Sequence, residues 1–129
     1  MSDSPWKNFT YAELACKCGH CDSQSGRHID PALMDKVQQL RDRCGPLKVS
    51  SAYRCPNHPS ERNKPRPGTH AKGLAIDIQC SGVQAFALLK TAIGMGFTGI
   101  GVSQKGDHGS RFIHLDISTT GNRPWLWSY

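Results

Sequence analysis

The sequence predicts a small α+β domain, an antiparallel sheet flanked by helices, formed by residues 1–129 as a single unit. Three observations carry that reading. The runs Leu74–Cys80 and Phe112–Ile117 alternate apolar and polar residues with the two-residue period of half-buried strands. Leu33, Val37, Leu40 and Cys44 recur at helical spacing, with Asp35, Lys36, Gln38 and Arg41 off that stripe. Thirteen glycines and eight prolines in 129 residues divide the chain into short elements joined by turns. A chain of this length supports one modest core rather than two.

Taken in order, residues 1–29 read as an irregular, cysteine-containing N-terminal arm with a short turn at Tyr11–Leu14. Asp30 can cap a helix whose first position, Pro31, has no N–H to leave unsatisfied. Gly45-Pro46 ends that helix, and Leu47–Ser51 suits a short strand. From Cys55 to Thr69 the chain carries Pro56, Pro59, Pro65, Pro67 and Gly68 among charges, which reads as a long loop able to wall a cleft. After the strand Leu74–Cys80, Ser81 and Gln84 form a capping-box pair heading a helix that bears Val83, Phe86, Leu89 and Ile93. Gly94 and Gly96 close it. Ile100–Val102 and Phe112–Ile117 supply the remaining strands, separated by the polar turn Ser103–Ser110. The tail Pro124–Tyr129, with two tryptophans, is expected to fold back over the core in preference to gripping a sugar-peptide surface.

Composition narrows the partners. A net charge of +6 and a pI near 9.2 favour encounter with a polyanion such as nucleic acid, an anionic membrane or a bacterial wall. No basic run is interleaved with aromatics, which argues against nucleic acid. No segment has the length and apolarity of a transmembrane helix. The first eight residues lack an apolar stretch, so the chain is expected to be made in the cytoplasm without a signal peptide. An external role would then require release by another agent. Six cysteines in such a compartment are expected to stay reduced. Cys16, Cys18 and Cys21 lie close together, but their spacing is tighter than paired CxxC knuckles. Packed or solvent-facing thiols are therefore preferred there to a second zinc ion.

The chemistry concentrates in the two alternating strands. Leu74, Ile76, Ile78 and Cys80 share one face and Asp77 stands opposite; Ile113, Leu115 and Ile117 share one face and His114 and Asp116 stand opposite. If the apolar faces form the core, Asp77 and His114 project from neighbouring strands into one cleft. His70 lies seven residues before Asp77, between Gly68 and Gly73, in a turn that can bring its ring over the strand end. A carboxylate inside an apolar strand needs a partner, either a metal ion or hydrogen-bond donors. Taken singly, His70 reads equally as a solvent-facing loop residue and His114 as a packed one. Together, two imidazoles and a carboxylate make a catalytic zinc set with a place for water.

The residues Ser51-Ala-Tyr53-Arg54, Thr69-His70-Ala-Lys-Gly73-Leu-Ala75-Ile-Asp77-Ile78, Gly96-Phe97-Thr-Gly-Ile-Gly101 and Phe112-Ile-His114-Leu-Asp116 form a recognisable series. It resembles the zinc D-alanyl-D-alanine carboxypeptidases and L-alanyl-D-glutamate endopeptidases of the M15 group, which share a metal scaffold with the hedgehog signalling domain. Phe9 and Cys16-Lys-Cys18-Gly19 add a likeness to a subgroup found among phage lysis proteins. The resemblance implies one catalytic Zn2+ held by His70, Asp77 and His114, with Arg54 binding a carboxylate or carbonyl of the substrate. It implies a peptidase acting on the stem peptide of peptidoglycan, in the manner of a phage endolysin; the chain is also expected to be a monomer that reaches the wall after release from the cytoplasm. A D-alanyl-D-alanine carboxypeptidase and a non-catalytic wall-binding or phage structural module are the alternatives. Many relatives carry Glu or Asp three residues before the last histidine, where this chain has Arg111. Asp107, assisted by His108, is therefore expected to be the general base. Asp116 is the second candidate, with the orientation of His114 as its other role.

Overall fold

The computed structural model describes residues 4–129; residues 1–3 of the predicted arm lie outside the described residues. The arm contains helix α1 (Tyr11–Leu14) and a 3-10 turn at Ser23–His28. Helix α2 (Pro31–Cys44), strands β1 (Lys48–Ser51) and β2 (Ala75–Gln79) and helix α3 (Gly82–Gly94) follow. Strands β3 (Gly99–Ser103), β4 (Phe112–Asp116) and β5 (Trp125–Ser128) complete the chain. This is the expected small α+β domain.

The sheet order is β1-β2-β4-β3-β5. The first three pairings are antiparallel, and β5 joins the edge of β3 in parallel. That fifth strand, formed by the C-terminal tail, makes the sheet mixed. The tail extends the sheet instead of covering the core, and Trp125, Leu126 and Tyr129 remain exposed.

The local signals for α2 act as expected. The Asp30 side chain accepts from the Ala32 amide at 2.8 Å, Pro31 opens the helix, and Gly45 (φ 86°) terminates it. Leu33, Met34, Val37 and Leu40 are fully buried against Ile76, Ile78, Ile113 and Leu115 of the sheet. Helix α3 departs from its reading in two ways. Ser81 makes no side-chain cap, and the Gln84 side chain donates to the Pro46 carbonyl at 3.3 Å instead of returning to Ser81. The face turned inward carries Ala85, Leu88 and Ala92, while Val83, Phe86 and Ile93 are exposed. Burying the small face lets the helix approach its neighbours closely, which the bulkier stripe would prevent.

Register then positions the site. Asp77 pairs with His114 across β2 and β4, and Gly101 of β3 lies opposite His114 on the other side. Alternation sends Ile76, Ile78, Ile113 and Leu115 into the core and turns Asp77, His114 and Asp116 to the opposite face.

Candidate metal centre

His70 sits in the turn after the long 55–69 loop. Gly73 permits that turn: its φ is +73°, and a side chain there would strike the His28 carbonyl. The imidazole is brought back over β2, so that His70 Nε2 lies 3.2 Å from Asp77 Oδ1. His114 Nδ1 approaches the same oxygen at 3.1 Å from β4. All three side chains are buried, and their potential ligand atoms lie within 4.8 Å of one another.

The outer nitrogens of both rings are engaged. His70 Nδ1 is 2.7 Å from the Ala52 carbonyl, which can only accept, so this nitrogen carries a proton. His114 Nε2 is 2.7 Å from Asp116 Oδ2. In neutral imidazoles these bonds leave His70 Nε2 and His114 Nδ1 as lone pairs facing Asp77, the arrangement that metal-binding histidines require. Protons or one cation can fill that inner space. The donor chemistry therefore fits a metal ion held by His70, Asp77 and His114.

Charge supports the same geometry. When protons rather than a cation occupy the inner nitrogens, burial by itself would raise the Asp77 carboxyl, but the hydrogen bonds it then accepts from His114 and His70 outweigh it and hold the group below the ordinary carboxylate range. Burial opposes protonation of His114, yet Asp116 and Asp77 win and raise its affinity for a proton. Asp116 is completely inaccessible. It receives a fork from Arg123, Nε to Oδ1 at 3.0 Å and Nη2 to Oδ2 at 2.8 Å, together with the Ser118 amide at 3.2 Å. Against the cost of burial, His114 and Arg123 lower its carboxyl to about 2. The Trp127 ring packs 5.0 Å from that of His114, with the Arg123 guanidinium 5.3 Å above the tryptophan.

The cluster floors an open cleft of about 270 Å³ walled by Arg54, Lys64, Trp127 and Tyr129. Arg54 Nη2 lies 3.3 Å from Asp77 Oδ2 and its Nε donates to Ser51 Oγ at 3.0 Å. Behind it, Glu61 is buried in the loop, accepting from Lys64 Nζ at 2.8 Å and the Gly68 amide at 3.0 Å.

The structure thus brings together His70, Asp77, His114, Asp116 and Arg54. It does not bring Asp107 or His108 to them. Both lie in the exposed turn after β3, where Asp107 precedes a 3-10 turn and His108 lines a different cleft with Pro46, Lys48 and Gln79. Asp77 is the sole carboxylate among the described residues lining the metal cleft. Arg111 is turned outward, its Nε donating to the Gly106 carbonyl at 3.1 Å, so it does not oppose a cation in the site. Arg123 and Glu61 carry no signal in the sequence, and Trp127, part of the tail noted there, is not pointed to the site by it. Arg123 lies in a loop without periodicity, and Glu61 reads as one charge among many in a proline-rich segment.

Two imidazoles and a carboxylate, enclosed by protein and open to a cleft on one side, form the donor set used by metal-dependent hydrolases. The comparison with known sequences agrees with that class. The chain belongs to the peptidase M15 family, whose model matches residues 7–116. It is 29% identical over 98 residues to the peptidoglycan L,D-endopeptidase MepK of Escherichia coli strain K12. The proteins of that name from E. coli O157:H7 and Shigella flexneri match at the same identity. The match covers 70% of this chain and 52% of each relative, so the chain spans about half the length of these curated relatives. Among the described residues no helix is long and apolar enough to cross a membrane.

Proposed function

We propose that this chain is a zinc-dependent peptidase that hydrolyses an amide bond inside the stem peptide of peptidoglycan. The observation that carries this reading is the buried convergence of His70, Asp77 and His114 at the floor of an open cleft. The relatives are named peptidoglycan L,D-endopeptidases, which supports an endopeptidase acting on peptidoglycan, and we take an L-alanyl-D-glutamate bond as its target. The likeness of the Phe9 and Cys16-Lys-Cys18-Gly19 segment to phage lysis proteins supports a setting in a bacteriophage. The enzyme would be released from the host cytoplasm by a separate membrane-permeabilising protein. A charge of +6 suits an anionic wall.

Zinc bound by His70, Asp77 and His114 would supply Lewis acidity, acidifying a water molecule and polarising the amide carbonyl. The chain's own residues do the rest. Ala52 and Asp116 fix the orientation of the two imidazoles through their outer nitrogens. Arg54 and Lys64 present cationic groups to an acidic stem peptide, and the guanidinium can grip a carboxylate with two parallel hydrogen bonds. Trp127 packs against one side of the His114 ring and restricts its rotation. Asp116 is a positioning residue, since both of its oxygens are already engaged.

One observation favours a second reading, a metal-stabilised wall-binding module without turnover: no carboxylate other than Asp77 lines the cleft among the described residues. Digestion of purified peptidoglycan with and without chelator, followed by mass analysis, separates the possibilities. New amino groups inside the stem, lost on chelation and in His70→Ala, are expected. Free D-alanine would indicate a carboxypeptidase instead. Sedimentation with walls but no released fragment would establish the binding module.

A further inference from the structure

Four cysteines converge at the other side of Arg54. Cys16, Cys18 and Cys21 of the arm are joined by Cys55, the first residue of the long loop, and the four sulfurs lie within 4.8 Å of one another. Cys18 Sγ stands 3.6 Å from Cys21 Sγ and 3.6 Å from Cys55 Sγ. A tetrahedron with metal–sulfur bonds of about 2.3 Å has sulfur–sulfur edges of about 3.8 Å. A disulfide requires about 2.05 Å, so the observed spacing is that of ligands around a central ion and not of a bonded pair.

The backbone is also shaped for thiolates. Cys18-Gly19-His20-Cys21 is a CxxC turn in which Gly19 takes φ +91° and the His20 amide donates to Cys18 Sγ at 3.3 Å. The Cys55 amide donates to Cys16 Sγ at 3.2 Å. Each bond satisfies a sulfur that accepts rather than donates. Cys44 and Cys80 stand apart from this group. The sequence alone offered three cysteines at tight spacing; the fourth comes from 34 residues farther on and completes the tetrad.

We propose that Cys16, Cys18, Cys21 and Cys55 form a second metal site, a closed tetrathiolate centre for structural zinc. Loading exchanges the thiol protons for one divalent cation, with no change of oxidation state. The centre ties the arm to the segment that arranges the cleft. Cys55 follows Arg54, which contacts Asp77, and Ala52 in the same segment holds His70. The Tyr53 amide, bonded to the Leu14 carbonyl at 3.2 Å, lies between them. The inference is independent of the proposed peptidase activity.

The test uses the full chain purified under reducing conditions, stripped with chelator and titrated with Co2+. The expected result is the intense near-ultraviolet thiolate-to-cobalt charge-transfer band and the visible absorption of tetrahedral cobalt, displaced by Zn2+ and saturating at one equivalent in His70→Ala, where the cleft site is disabled. His70→Ala and His114→Ala keep this band, as do Cys44→Ser and Cys80→Ser. The double variant Cys18→Ser/Cys21→Ser loses it completely. Absence of the band in the parent chain would overturn the proposal. So would its survival in the double variant, or a mass for the zinc-loaded protein showing that two of these four cysteines are oxidised to a disulfide. The parent and His70→Ala spectra decide the matter even where the double variant does not fold.

Discussion

Replacing Arg123 by Ala tests how the His114 side of the centre is held. Arg123 donates a fork to Asp116 at 3.0 and 2.8 Å, and Asp116 has no solvent access with which to replace those bonds. Removing one member of a buried ion pair costs about 3–5 kcal/mol, because the other charge is stranded. Here the carboxylate keeps His114 and the Ser118 amide as partners, so the lower end applies, about 3 kcal/mol. For a domain of this size that corresponds to a fall in melting temperature of roughly 10 °C. Asp116 also orients His114, so zinc affinity should drop by about 10–100-fold, the usual effect of removing a ligand's supporting contact. Thermal melts of the chelated protein give the first quantity, and competition with a chromophoric chelator gives the second. Arg123→Lys keeps the charge but not the fork and should fall between parent and Ala. Parent-like melting and unchanged zinc affinity in Arg123→Ala would refute the reasoning, since Asp116 would then need no cationic partner.

Three further outcomes follow from the same contacts. The Asp116 carboxyl lies at about 2 in the folded chain against an ordinary 3.8, so its contribution is present above 3.8 and lost as pH falls through about 2. It amounts to about 2 kcal/mol, and acid denaturation of Asp116→Asn should show a correspondingly shallower loss of stability over that window. In Gly101→Ala the new methyl would stand 2.5 Å from Trp127 Nε1; β5 should detach from the His114 side, seen as a shift in tryptophan fluorescence and a loss of about 1–3 kcal/mol in denaturant melts. Glu61→Gln keeps a partner for the Gly68 amide but removes the charge facing Lys64 and Arg54; a cost of about 1–2 kcal/mol and faster hydrogen exchange across the 61–68 loop are expected.

What the sequence could disclose follows from the range of each interaction. The faces of β2 and β4 were legible because alternation is a local property, and it sets Asp77 and His114 on the same face, where the register pairs them. The stop at Gly45 and the start at Asp30 were legible for the same reason. The facing of α3 was not. Its larger apolar side chains outnumber its buried ones, and only the space beside the sheet selects Ala85, Leu88 and Ala92. Strand β5 was hidden because Trp125–Ser128 has no alternation of its own; its partner, β3, supplies the pairing. Chain proximity to His114 points to Asp107, but the turn that carries it is exposed and does not line the cleft. Cys55 was missed because its three partners lie in another part of the chain.

The two cysteine- and histidine-rich clusters differ in charge, and that difference divides their roles. At the cleft, Asp77 contributes one negative charge and Arg54 lies against it, while Asp116 is matched by Arg123. With neutral imidazoles the surroundings are balanced before any metal arrives, so a divalent cation there retains strong positive character and an open side facing the cleft. That is the condition for acidifying water or drawing charge from a carbonyl. At the proposed cysteine centre, four thiolates would exceed the charge of one dication and fill all its positions. Such an ion has neither the field nor the vacancy for catalysis, and what it can supply is cross-linking. The chain between them is short: Ala52 holds His70, Arg54 touches Asp77, and Cys55 belongs to the tetrad. An ion in the closed site would therefore act on the open one through the position of residues 52–55, while the C-terminal segment secures His114 from the opposite side through Arg123 and Trp127. His70, Asp77 and His114 are thus braced from two sides, by residues 52–55 and by the C-terminal segment.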